Sequence, residues 1–120
     1  MRFILGICLI LASFTCQADW KDWDSTDKQL FVVSETSLFA DWMQTKKIAE
    51  NPNRWSETNP IIGVHPSVGR VNTYFLSAMI GNYFLADYLG ENRRLYLGVI
   101  ALGEGLTVKH NLALGLSVGF

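Results

Sequence analysis

The chain has 120 residues, of which 49% are hydrophobic and 18% charged, and its formal charge is −1. That length holds one domain, since domains run ~50–250 residues. Nearly cancelling charges leave neither the basic footprint of a nucleic-acid binder nor the single-sign block of a disordered chain. Charged residues fall below the ~25% of an average soluble protein, so the composition leans towards a membrane setting.

Met1 and Arg2 open onto about ten apolar residues from Phe3 to Ala12, and the stretch closes in Cys16-Gln17-Ala18. A positive start, a short apolar run and small residues before the cut read as a secretory signal peptide cleaved after Ala18. An uncleaved anchor helix would need ~20 apolar residues. Cys16 as a lipid-modified first residue is the weaker alternative, because Ser13-Phe14-Thr15 does not supply the residues expected before such a cysteine. Both cysteines, Cys8 and Cys16, lie in the leader, so a chain starting at Asp19 has no thiol for a disulfide, metal or nucleophile. It also loses Arg2, leaving nine cations against eleven acids, a formal −2.

The acidic segment from Asp19 to Asp27 carries Trp20 and Trp23, and Ser25 or Thr26 ahead of Asp27 marks a helix start. From Lys28 to about Ile48 there is no Gly or Pro, which predicts one helix of about 20 residues with Glu35 and Asp41 inside it. Such a helix has the length to cross ~30 Å of hydrocarbon. Between Glu50 and Gly69 the breakers crowd together: Pro52, Pro60, Gly63, Pro66 and Gly69. This predicts a loop of successive turns, with Asn51, Asn59 and His65 extended because each precedes a proline.

Val71 to Leu89 is the most apolar stretch after the leader and is predicted as a second, membrane-embedded helix, stopped by Gly90 and the cations Arg93 and Arg94. Leu95 to Val108 gives a third apolar segment, with Gly98, Gly103 and Gly105 permitting close helix approach. In the last residues Leu112, Leu114, Leu116, Val118 and Phe120 alternate with small residues, a period of two that predicts an extended tail burying those five side chains. That tail needs a mate, either residues 103–109 folded back as a hairpin or a partner chain. A complete single-chain barrel would need ~80 residues of strand, which the helical stretch 28–48 does not leave. The fold class expected is therefore all-α: about three membrane-associated helical segments in one small domain over 19–120, with a short extended C-terminal tail.

Asp41, Gln44 and Thr45 stand at i, i+3 and i+4, so they share one helix face. The loop offers Glu57, Asn59, His65 and Arg70 to fold back on that face. Two carboxylates with a histidine would suit a hard metal or acid–base chemistry, whereas turn-holding and ion pairing are the structural alternative. No HExxH, nucleophile elbow or phosphate loop is present. Glu104 stands alone among apolar residues and needs a partner, with Lys109, His110, Asn72 or Asn82 as choices. The candidate polar cluster is Asp41, Gln44, Thr45, Glu57, Asn59, His65 and Glu104, with no cofactor expected.

The runs Asp41-Trp42-Met43-Gln44-Thr45, Ile48-Ala49-Glu50-Asn51-Pro52, Glu57-Thr58-Asn59-Pro60-Ile61-Ile62-Gly63 and His65-Pro66-Ser67 belong together with Val71-Asn72-Thr73-Tyr74-Phe75, Glu104 and the ending from His110 to Phe120. This pattern resembles a group of small exported or membrane proteins of Gram-negative bacteria and their prophages. The resemblance covers most of the chain after the leader and implies a helical, membrane-associated architecture, with no activity or site to carry over. Lys46, Lys47, Arg54 and Arg70 crowd the first loop, while acids dominate the segment before the first helix, so the charge pattern puts the loop on the cytoplasmic side. The expectation is a non-enzymatic protein of the cell envelope, in the inner membrane, in contact with lipid and with a homo-oligomeric or envelope-protein partner. The alternatives are a periplasmic or outer-membrane-associated binding module using its terminal strand, and a metal or hydrolytic protein using Asp41, Glu57 and His65.

Overall fold

The structure is a computed structural model and describes residues 19–119. The expected leader and cleavage site, and Phe120, lie outside the described residues. A 3-10 turn at Trp20–Asp22 leads into three α-helices: α1 Ser25–Glu50, α2 Val68–Tyr88 and α3 Arg93–Ala113. A second 3-10 turn, Gly90–Asn92, joins α2 to α3. Among the described residues there is no strand. The all-helical class holds, and each helix begins two or three residues earlier than the pattern predicted.

Local chemistry sets the boundaries. The Oδ1 of Asp24, rather than Ser25 or Thr26, caps α1 by accepting from the backbone N–H of Asp27 at 2.8 Å. At the other end Asn51, held off helical geometry by Pro52, stops α1 while its Nδ2 donates back to the Lys47 carbonyl at 2.9 Å. Ser67 caps α2 through its Oγ, which accepts from the backbone of Arg70 at 3.1 Å. Gly90 takes φ +52 in the short reversal to α3, a conformation a side chain would strain.

α1 is the central helix, packing on α2 and more extensively on α3. Leu38, Ile62, Val71 and Phe75 form one buried cluster where the loop closes over the α1–α2 seam. Trp23, Ala86 and Leu97 form another at the opposite end, beside Phe31 and Tyr83. There Arg93 lies over the Trp23 ring at 4.7 Å and pairs with Asp27 and Asp87, while the indole N–H donates to Asp87 at 2.9 Å.

The tail differs from the expectation. α3 continues through Ala113, and Gly115 at φ +90 ends it: the N–H of Leu116 bonds the Asn111 carbonyl at 2.9 Å and that of Gly115 bonds the Leu112 carbonyl at 3.0 Å. This pair of bonds with a left-handed glycine is a Schellman stop. Leu112, Leu114 and Val118 are exposed and Leu116 alone of the described alternating residues is buried. The hairpin with 103–109 is absent because those residues are helical.

The membrane-crossing expectation for α1 and α2 is also corrected: among the described residues no helix is long and apolar enough to cross a membrane. Asp27, Glu35, Asp41 and three lysines interrupt α1, and Arg70 and Asp87 bracket α2.

Candidate functional site

Where α1 and α3 meet the tail, the inward faces are polar. Gln44 and Thr45 are buried, and Asp41 lies partly buried one turn before them. The Oδ1 of Asp41 accepts from Thr45 Oγ1 and from Asn111 Nδ2, both at 3.3 Å. Asn111 Nδ2 also donates to Gln44 Oε1 at 3.1 Å. Gln44 Nε2 reaches the Val108 carbonyl at 3.2 Å and the Leu116 carbonyl at 3.1 Å, so one amide spans α1, α3 and the tail. Next to Gln44's face, Lys47 Nζ donates to the carbonyl and hydroxyl of Ser117 at 2.9 and 2.7 Å.

Glu104 on α3 comes within hydrogen-bonding reach of Asp41. Its Oε2 is buried with no donor beside it, which is what two ionised, acceptor-only carboxylates produce; a proton on either one bridges them. Burial pushes the Asp41 carboxyl up, and repulsion from Glu104 and then Glu57 adds to it against the opposing Thr45 bond, reaching about 7. Burial likewise raises Glu104. The pair therefore retains a proton close to neutral pH.

The loop residues do turn chemistry. Glu57 Oε1 accepts from the backbone N–H of Thr58 and Asn59 at 2.9 and 2.8 Å, and its own N–H bonds the Val64 carbonyl. Asn59 accepts from the Ile61 N–H at 3.0 Å and donates to the Tyr74 hydroxyl at 3.1 Å, tying the loop to α2. Arg70 donates to the Ile61 carbonyl at 2.9 Å. His65 is exposed. Among the described residues no group of three His, Cys, Asp or Glu side chains is placed to hold a metal ion, so Asp41, Glu57 and His65 do not make one.

None of the partners expected for Glu104 holds it. Lys109 and His110 are exposed, Asn72 accepts from the Trp42 indole at 2.9 Å, and Asn82 donates to Ser34 and Glu35 at 3.0 and 2.8 Å. The residue that pattern reading missed is Asn111. Glu104, Val108 and Asn111 stand at i, i+4 and i+7, one helix face, and that spacing was the available signal. The buried hydroxyl and amides lock α1, α3 and the tail together around the carboxyl pair. Comparison with protein-family models, with curated proteins and with solved structures finds no match to this chain.

Proposed function

We propose that the chain is a non-enzymatic protein of the cell envelope that turns the outer faces of its helices towards membrane lipid and keeps its polar contacts inside. The observation that carries this reading is a row of exposed apolar side chains outside a core that also buries polar ones. Inward faces hold Asp27, Ser34, Gln44, Thr45 and Asn82, all buried, together with Asp41 and Glu104. Outward faces carry Leu95, Val99, Leu102 and Leu106 on α3, exposed by 57–72%, and Leu76, Ile80 and Tyr88 on α2. The four α3 residues follow i, i+4, i+7 and i+11, a continuous stripe along one side. In water such a stripe costs free energy at ~25 cal/mol per Å² left uncovered, and scattered exposed leucines do not line up this way. The signal-like leader and the resemblance to exported and membrane proteins favour the same setting.

A second reading replaces lipid by another protein chain. It is favoured by Gly98, Gly103 and Gly105 on α3, where a Cβ would meet nothing within 4 Å, leaving room for a helix backbone to approach. Fractionation of the chain expressed in a Gram-negative host separates the two. Recovery with the membrane pellet after a high-salt wash is the expected result; release into the periplasmic extract as a discrete oligomer sinks the lipid reading and supports the second.

A further inference from the structure

Lys47, Asn51, Arg54 and Trp55, at the end of α1 and the start of the loop, face the tail residues Gly115, Leu116 and Ser117 across a cavity of about 180 Å³. Both cations belong to one small depression. Lys47 Nζ is anchored by the carbonyl and hydroxyl of Ser117, both neutral groups. Arg54 lies over the Trp55 ring at 5.3 Å, which fixes the guanidinium without neutralising it. Among the described residues neither is paired with a carboxylate. The cations at the far end of the bundle are otherwise placed: Arg93 pairs with Asp27 and Asp87, and Arg94 with Asp24 and Asp27. Lys46, the neighbour of Lys47, turns to Glu50 at 3.9 Å.

The cavity is smaller than the ~300–1,000 Å³ that encloses a whole drug-sized ligand, so it suits one charged group rather than a nucleotide or a sugar chain. Asn51, Ser117 and the half-buried Trp55 complete its wall, and Leu114 and Val118, the chain neighbours of the lining residues Gly115 and Ser117, are exposed. Two cations with no carboxylate partner among the described residues, beside a tryptophan, are the chemistry that meets a phosphate at the boundary of an acyl layer.

We propose that the cavity between Lys47, Arg54 and Trp55 binds the phosphate of an anionic phospholipid headgroup. The proposal rests on the lipid-facing reading above and adds the lipid class and the end of the bundle that engages it. A planar guanidinium suits bidentate phosphate contact, and Lys47 supplies a second, point-like charge. The cation-rich end of the bundle then lies at the anionic surface, with the α3 stripe running away from it.

The test is co-flotation of the purified chain with vesicles of phosphatidylcholine alone and of phosphatidylcholine containing phosphatidic acid, alongside calorimetric titration with inorganic phosphate. Tighter binding to the phosphatidic acid vesicles is expected, and Arg54→Gln and Lys47→Gln each weaken that preference by about fivefold. Lys46→Gln, outside the cavity, leaves it unchanged. The Arg54 side chain makes no hydrogen bond within the described residues, and its backbone N–H bond to Asn51 survives substitution, so Arg54→Gln decides the matter even where Lys47→Gln loosens the tail. An unchanged preference in Arg54→Gln overturns the proposal while leaving lipid binding intact. Failure to float with either vesicle overturns the lipid-facing reading and the lipid source. Phosphate binding abolished by Arg54→Gln then supports the cavity with a soluble phosphate as ligand, and absence of any phosphate heat overturns the cavity as well.

Discussion

Asp41 on α1 and Glu104 on α3 meet across the seam that also fixes the tail, and burial, then the repulsion of Glu104 and Glu57, act on Asp41 against the donors Thr45 and Asn111. The fold thus places like charges together at its tightest polar joint and relies on a proton to reconcile them. In the unfolded chain each carboxyl is solvated and titrates near its ordinary value of about 4.

Folding therefore raises proton affinity at Asp41, and the linkage has a definite sign. The native state binds more protons than the unfolded one between the ordinary Asp value of 3.8 and about 7, so stability is full below that window and declines as pH rises through it. Asp41→Asn keeps the Oδ1 acceptor for Thr45 and Asn111 and gives Glu104 Oε2 a donor. At pH 8 the variant is expected to exceed the parent by on the order of 1–3 kcal/mol, with the gap closing towards pH 4. Urea unfolding at several pH values measures this; parallel pH profiles for the two proteins would show that the pair carries no shared proton.

Gln44 is expected to be the most sensitive single position in the site. Its side chain is completely buried and bonds Asn111 and the carbonyls of Val108 and Leu116. Gln44→Leu fills much of the volume but strands those partners, costing ~2–4 kcal/mol. Faster amide exchange in residues 114–119 should accompany the loss, because the same amide holds the tail. A variant within 0.5 kcal/mol of the parent, by the ~0.5 kcal/mol scatter of ordinary surface changes, would mean the tail is held by Lys47 alone.

How far the sequence led depends on which physical signal was local. The three helices and the loop were legible because Gly and Pro punctuate them, and the loop's Asn-Pro and His-Pro steps carry their own backbone restriction. The shared face of Asp41, Gln44 and Thr45 followed from helical spacing. Asn111 was hidden because its stretch reads as alternation: Ala113, Gly115 and Ser117 are small enough to pass for the second face of a strand. The left-handed turn at Gly115 decides instead for a helix stop, since the last carbonyls of α3 need the N–H groups of Gly115 and Leu116. Pairings such as Asp41 with Glu104 or Trp23 with Asp87 span 63 and 64 residues and carry no local mark.

The two adjacent arginines at the start of α3 make a matched test of burial. Arg93 is 12% exposed and donates to the Ala86 and Asp87 carbonyls at 3.2 and 3.4 Å besides its carboxylate pairs and the Trp23 ring. Arg94 is 53% exposed and holds only Asp24 and Asp27. Arg93→Ala removes the cation at Asp87, which keeps only the Trp23 indole, and one of the two at Asp27, and is expected to cost ~3–5 kcal/mol. Arg94→Ala is expected to move the urea midpoint far less, because water screens its pairs. Equal shifts for the two would show that the Trp23 corner is not the electrostatic keystone of its end of the bundle.

The last prediction sets the glycine just past the end of α3 against one within the helix. Gly115 sits at φ +90, where any L side chain is strained, although a Cβ there meets no atom within 4 Å. Gly103 lies within the helix in ordinary geometry and also faces open space. Space is equal at the two sites, so the difference between Gly→Ala variants isolates backbone conformation. Gly115→Ala should cost ~1–2 kcal/mol and unwind the stop, releasing the Leu116 N–H from Asn111 and with it the contact between Leu116 and Gln44. Gly103→Ala should add ~0.5–1 kcal/mol by narrowing the unfolded ensemble and raising helix propensity. Thermal unfolding reads both, and limited proteolysis after Lys109 reports whether the tail has come loose. Gains of similar size at both positions would mean that the chain ends α3 without the left-handed turn and that the tail reaches Gln44 by another path.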